Sequence, residues 1–222
     1  MKIKEIVKIY EELCMERYSA YDIKKALSKI ENAGLILEVD PNSVEAYNFR
    51  PLEIFLGGKL SDMIGIDGIT VQSTFFGNPK IFVLNYSNEV ILPHELVHYE
   101  FFIKHEGRKE LKKLADKYCG PLIRFLNGED VDVKDILITI FKLPRYIEKF
   151  HELHKDLFEL GEAYAWLVTK KIRPDIEIPS VYDEDLIDTI KKYNFLPLEK
   201  IRSNIYKSYS LEDFVNRLNS NF

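Results

Sequence analysis

The chain has 222 residues, 36 acidic against 31 basic, and a formal net charge of −5. Charges of both signs are interspersed, which excludes the clustered basic footprint of a nucleic-acid binder. No apolar run approaches the length of a membrane span; the most apolar stretch, Ile136 to Phe141, is far too short. With 46% apolar residues, the chain can bury the core of one two-lobed domain or of two small ones. Cys14 and Cys119 are isolated, which predicts buried, reduced thiols in a cytoplasmic protein. Glu5, Glu11 and Glu12 interrupt the N-terminal apolar pattern, so no signal peptide is expected there.

Ile3, Ile6, Val7, Tyr10 and Leu13 recur at helical spacing and predict a helix over 2–18. A second helix is expected over 20–33, capped by Ser19 or Asp22 and stopped by Gly34. A strand from Leu35 to Val39 and a turn at Pro41 to Ser43 follow. Residues 1–42 read as a helical segment, either winged-helix-like or a two-helix lid on the remainder; the nearly balanced charge favours the lid. Ile69 to Phe76 and Lys80 to Ser87, separated by Gly77-Asn78-Pro79, predict an antiparallel hairpin. Helices are expected over 90–105, with Pro93 tolerated in the first turn, and over 107–119, closed by Gly120-Pro121. Short apolar helices over 121–127 and 132–142 come next, then a long one over 147–171 that ends before Arg173-Pro174. A loop over 175–182 leads to two or three short helices over 183–219, the last capped by Ser210 with Asp213. The predicted class is α+β, mainly helical, with a small antiparallel sheet beside helix 90–105.

There are five histidines: His94, His98, His105, His151 and His154. Residues 94–98 read His-Glu-Leu-Val-His, the HExxH pattern of zinc hydrolases. On a helix, His94 and His98 share a face one turn apart, about 6 Å along the axis. Both imidazoles can then reach one tetrahedral Zn²⁺. Glu95 falls beside the metal rather than on it, where it can take a proton from an activated water. Leu96, Val97, Phe101, Phe102 and Ile103 give this helix a large apolar surface to bury. His151-Glu152-Leu153-His154 is one residue short of the pattern, and its histidines are assigned a structural role, with a substrate-facing histidine as the alternative.

A catalytic zinc site needs a third protein ligand and one position left open. In the HExxHxxGxxH arrangement a later histidine of the same helix supplies it. Here Phe101 stands in the glycine position, Lys104 in the last histidine position, and His105 comes one residue late. A glutamate from a later helix is the alternative. Glu162 lies in Gly161-Glu162-Ala163-Tyr164-Ala165-Trp166, where the small residues permit close helix approach and Trp166, one turn on, can wall a site. A carboxylate in so apolar a stretch is costly unless something neutralises it. Glu162 is the favoured third ligand, with Glu159, one turn earlier, as its competitor.

HExxH followed on a separate helix by Glu162-Ala163-Tyr164-Ala165 resembles the gluzincin branch of the zincin metallopeptidases. The resemblance implies a zincin-like catalytic domain over 43–222 with a C-terminal helical part. It implies Zn²⁺ held by His94, His98 and Glu162, with Glu95 as general base. It further implies hydrolysis of peptide bonds in a peptide or protein substrate bound extended along 69–76 or 80–87. Tyr164, His151, Tyr182 and Tyr206 are candidates to stabilise the oxyanion. Two rival readings remain in view. One is a catalytically silent zincin-fold binding protein that recognises a protein or DNA through its N-terminal helices. The other is a zinc hydrolase acting on bonds other than peptides.

Overall fold

A computed structural model describes residues 13–59, 61–62, 65–71, 79–126 and 129–220. In chain order the elements are β1 (Glu16–Arg17), α1 (Ala20–Asn32), β2 (Glu45–Asn48), α2 (Arg50–Leu56), β3 (Gly68–Val71) and β4 (Lys80–Val83). They continue with α3 (Ile91–Lys104), α4 (Glu106–Leu126), α5 (Val133–Ile172), α6 (Glu184–Tyr193), α7 (Leu198–Ile205) and α8 (Leu211–Ser220). The class is α+β and mainly helical, as the sequence predicts. No helix among the described residues is long and apolar enough to cross a membrane.

The sheet has the order β1-β2-β4-β3. β3 and β4 pair antiparallel with Gly68 opposite Val83 and Thr70 opposite Ile81, which is the expected hairpin partnership; positions 77 and 78 of its turn lie outside the described residues. The sheet is nevertheless mixed rather than antiparallel, because β2 runs parallel to β4, pairing Ala46 with Ile81 and Asn48 with Val83. Alternation places Ala46 and Ile81 in the core, while Tyr47 stacks on Phe82 at 5.9 Å between centroids. Most of the helix expected over 2–18 also lies outside the described residues. Within them its end is different: Glu16–Arg17 form β1, antiparallel to β2.

α1 begins as predicted, with a reciprocal capping box in which the Asp22 amide donates to Ser19 Oγ and the Ser19 amide to Asp22 Oδ2. Gly34, at φ +94°, turns the chain out of the helix. Ile23, Ala26 and Ile30 of α1 join the same hydrophobic cluster as Leu96 of α3 and Leu167 of α5.

The strand expected over Leu35 to Val39 does not form. Leu35 and Leu37 are buried, but the backbone between them is held by side chains instead of a ladder. The Glu38 amide donates to Glu100 Oε1 at 2.8 Å, and Arg202 Nη1 donates to the Ile36 carbonyl at 2.9 Å. Glu100, fully buried on α3, also accepts from Arg202 Nη2 at 2.8 Å and from the Tyr206 hydroxyl at 2.9 Å. Burial, and then the Glu100 carboxylate, push the Tyr206 hydroxyl far above its usual pKa, so it remains a donor.

α3 is buried on nearly every side, from Ile91 to Phe102. The sheet, α1, α4 and α5 surround it. Two predicted helix breaks are absent. α4 passes through Gly120-Pro121, and α5 runs unbroken through Pro144 for 40 residues, about 60 Å at 1.5 Å per residue. Each proline forfeits one helical hydrogen bond. The two helices continue past those points while packing on each other, with Ala115 and Cys119 of α4 against Tyr146, Leu143 and Phe150 of α5. Asp132 caps α5 by accepting from the Lys134 amide at 2.8 Å.

Arg202 is the principal counter-charge to a carboxylate with no exposure. Arg202→Met should therefore destabilise the fold by about 3–5 kcal/mol, because it strands a buried charge. Replacing the exposed Glu38 by alanine should leave the urea midpoint nearly unchanged. Equal midpoints for Arg202→Met and wild type would remove Glu100 from its place as a structural hub.

Candidate metal centre

α3 and α5 face each other at the HExxH motif. Gly161 makes this approach possible: a Cβ there would meet the Phe101 ring at 3.3 Å and His98 Nδ1 at 3.6 Å. With no side chain in the way, α5 presents Glu162, Trp166 and Thr169 toward α3 from positions that share one face. His94, His98 and Glu162 converge, all three buried. His94 Nε2 and His98 Nε2 are 3.2 Å apart. His98 Nε2 lies 3.3 Å from Glu162 Oε1, and His94 Nε2 lies 3.9 Å from Glu162 Oε2.

Hydrogen bonds outside the cluster fix which atoms point inward. The Thr169 hydroxyl donates to the Ala165 carbonyl at 2.8 Å, so its proton is committed. It must accept from His94 Nδ1, 3.0 Å away, and that leaves the His94 Nε2 lone pair facing the cluster. Tyr182 donates to Glu162 Oε2 at 2.9 Å. The Trp166 ring meets His94 edge-on at 4.9 Å, walling the site as the sequence suggests.

Two imidazole nitrogens at 3.2 Å, one of them with its lone pair turned inward, need a cation or a proton between them. Ligand atoms on a tetrahedron with bonds of about 2.0–2.1 Å stand about 3.3 Å from one another. The separations of His98 Nε2 from His94 Nε2 and from Glu162 Oε1 match that figure and the 3.9 Å from His94 Nε2 to Glu162 Oε2 is longer, so the group could hold a single metal ion after a small adjustment of the carboxylate. Among the described residues this is the one such cluster of histidine, cysteine and acidic side chains.

Glu95 stands next to the cluster but is held by a different partner. The Thr70 hydroxyl of β3 donates to Glu95 Oε2 at 2.7 Å and lies 3.0 Å from the Glu95 carbonyl oxygen. Gly68 leaves room for the other carboxylate oxygen: a Cβ there would come within 2.8 Å of Glu95 Oε1 and 2.7 Å of Ile91 Cγ2. Burial raises the Glu95 carboxyl to about 7, against the pull of His98 and the Thr70 hydrogen bond. Burial, then the neighbouring His98, lowers His94 to about 3. For His98 burial acts downward too, but the Glu162 carboxylate beside it outweighs this and raises the imidazole. Burial alone would raise Glu162, yet His98 draws its carboxyl down to about 2. The His98–Glu162 contact thus favours a charged imidazole beside a carboxylate, and a metal ion bound there would take the place of the His98 proton.

The cluster opens into a cleft of about 710 Å³ bordered by β3, α3, α4, α5 and the 176–182 loop. The other histidines and tyrosines sort cleanly around it. His105 is spent on structure: its Nε2 lies 2.8 Å from the Ser208 carbonyl, and its Nδ1 accepts from the Gly107 amide at 3.1 Å. His151 is exposed, whereas His154 lines the cleft, stacked between Phe150 and Phe158. Tyr206 is committed to Glu100, and Tyr164 is fully buried against it, so neither borders the cleft; of the four oxyanion candidates only Tyr182 does. Glu159 is partly exposed, 3.9 Å from Lys155, and takes no part in the cluster.

Sequence reasoning missed Thr169, Thr70 and Gly68. Thr169 carried a usable signal, since it falls two turns after Glu162 on the same face. The other two reach Glu95 only through the fold. No protein-family model, no curated protein and no solved structure matches the chain.

Glu162→Ala should lose bound metal on dialysis while Glu159→Ala retains it, as read by elemental analysis; equal retention would dismiss Glu162 as a ligand. Thr169→Val keeps the shape but frees His94 Nδ1, and should weaken metal affinity about 10- to 100-fold in competition with a chromophoric chelator. An unchanged affinity would show that Thr169 does not orient the ring.

Proposed function

We propose that this chain is a zinc-dependent peptidase of the zincin kind, using His94, His98 and Glu162 to hold the metal and Glu95 as general base. The observation that carries the reading is the arrangement of the two carboxylates. Glu162 lies among the imidazoles, while Glu95 stands beside them on a separate hydrogen bond from Thr70. Two nitrogens and one carboxylate oxygen, with open space on the remaining side, is the donor set of a catalytic zinc site.

A zinc ion held there supplies a Lewis acid that lowers the pKa of water and polarises a carbonyl. The rest belongs to the chain. Thr70 fixes one oxygen of Glu95, and Gly68 puts no side chain against the other, Oε1. Oε1 takes the proton of the attacking water and passes it to the departing amine. A carboxyl raised by burial is a stronger base than an exposed one, and beside a bound divalent cation it would stay ionised at neutral pH. Tyr182 is the one tyrosine of the candidates that borders the cleft, and it can assist a developing oxyanion only by turning its hydroxyl proton away from Glu162 Oε2.

The sheet supports a peptide as the substrate. Among the described residues β3 is an edge strand, paired only with β4, and Gly68 to Val71 line the cleft. Its free edge suits an extended peptide that adds a strand by backbone hydrogen bonds. That geometry favours peptides over compact esters, and over a silent binding role in which Glu95 has no task.

Glu95→Gln tests the assignment. It should keep stoichiometric zinc and the wild-type melting temperature while hydrolysis of a mixed peptide library falls at least about a thousandfold. Undiminished cleavage by the variant, or no cleavage by zinc-loaded wild type of any peptide in the library, would overturn the peptidase reading.

A further inference from the structure

Arg108, in the first turn of α4, is only 2% exposed. Among the described residues it has no ion-pair partner, and its Nε has no hydrogen-bond partner. Its guanidinium carbon sits 4.3 Å from the centroid of the Phe102 ring and 5.8 Å from that of Phe101. Stacking of this kind holds the plane of a guanidinium while leaving its N–H edge free. Both Arg108 and Phe102 border the cleft that contains the metal cluster.

Burial makes this arrangement costly. A charged group out of water is ordinarily answered by a carboxylate or by several carbonyls. The carboxylate of Glu162 offsets the burial only in part, and the pKa of Arg108 falls to about 9, which still leaves it charged at neutral pH. Its neighbour His154 gives no compensation, since burial and Arg108 itself lower that imidazole and keep it neutral. Beside it stand Leu111, Phe150 and Phe158, an apolar wall with one cationic end.

We propose that Arg108 is a specificity-determining anchor that binds a carboxylate of the substrate, through a bidentate pair between its guanidinium and the two carboxylate oxygens. The carboxylate is either the free C-terminus of a peptide or the side chain of an aspartate or glutamate. Its place relative to the reacting bond is bounded by the aromatic ladder. His98 and Phe102 are 6.5 Å apart between centroids and Phe102 is 4.3 Å from the guanidinium, so the anchor stands within about three extended residues of the metal ligand. This rests on reading the cleft as a peptide site, and it concerns recognition alone.

Binding is measured in the Glu95→Gln protein, zinc-loaded and metal-free, by the fluorescence of Trp166, the only tryptophan. The probes are acetylated tetraalanine with a free C-terminal carboxylate or a carboxamide, and amidated peptides carrying one glutamate or one glutamine. One of the two acids should bind at least about tenfold more tightly than its neutral partner. Which pair shows the preference tells the C-terminus from the side chain. Arg108→Met should abolish the preference and Arg108→Lys should keep part of it. Because Arg108→Met removes an unpaired buried charge, its melting temperature should equal or exceed that of wild type. A clear fall would mark Arg108 as structural and overturn the proposal. So would equal binding of acid and amide by the chain with Arg108 intact, a result that requires no variant to fold. A preference that survives Arg108→Met but vanishes with the metal would place the carboxylate on the metal and also overturn it. Arg108-dependent binding in a chain whose wild type hydrolyses no peptide would sustain this proposal and sink the peptidase.

Discussion

Everything at the centre of the molecule depends on the close approach of α3 and α5. It brings two imidazoles and two carboxylates out of water within a single helix contact, a concentration of polar groups that burial ordinarily forbids. Gly161 removes the steric obstacle, and the protein answers most of the polar demand one group at a time: Thr169 for His94, Tyr182 for Glu162, Thr70 for Glu95. The facing pair of Nε2 atoms it answers only with a shared proton. A cation is the natural occupant of that gap, and the surrounding hydrogen bonds then become the supports that aim the ligands.

The same helix carries a useful contrast. Glu100, two residues beyond His98, is as deeply buried as the cluster but is met by Arg202, Tyr206 and the Glu38 amide. It ties α3 to α7 and to the extended stretch after α1, and its business is finished when the chain is folded. Arg108 is the opposite case, a buried charge stacked on rings and left open along a cleft wall. Fully satisfied buried networks specify a fold, whereas a group left wanting points to a ligand.

What the sequence disclosed, and what it hid, follows the range of the interactions involved. His94, Glu95 and His98 are legible because a single helical turn defines their geometry. Glu162 was legible because small neighbours around an isolated acid mean close packing, and the structure brings it, not Glu159, to the histidines. The helix breaks at Gly120-Pro121 and Pro144 were misread because local propensity argues for ends there. Mutual packing of α4 and α5 supplies what each proline forfeits. β2 was missed, since Glu-Ala-Tyr-Asn is a strand only by virtue of its parallel neighbour β4. Leu35 to Val39 reads as a strand from its apolar residues, which say that side chains point inward and nothing about who satisfies the backbone. Gly68 and Thr70 carry no local sign at all; their role exists only once β3 lies against α3.

Gly68 and Gly161 both abut α3, one beside Glu95 and the other beside His98. The outline of the chamber is thus drawn in part by hydrogen atoms where any other residue would put a methyl group. A distant cousin that rewrote its surface yet kept this chemistry would have to preserve the bare position at 68, where a Cβ would clash, and would gain by keeping the one at 161, where the contact is merely tight. Taken with the acid each one clears or precedes, the two glycines are a narrower mark of kinship than the five-letter motif, which unrelated helices can spell by chance.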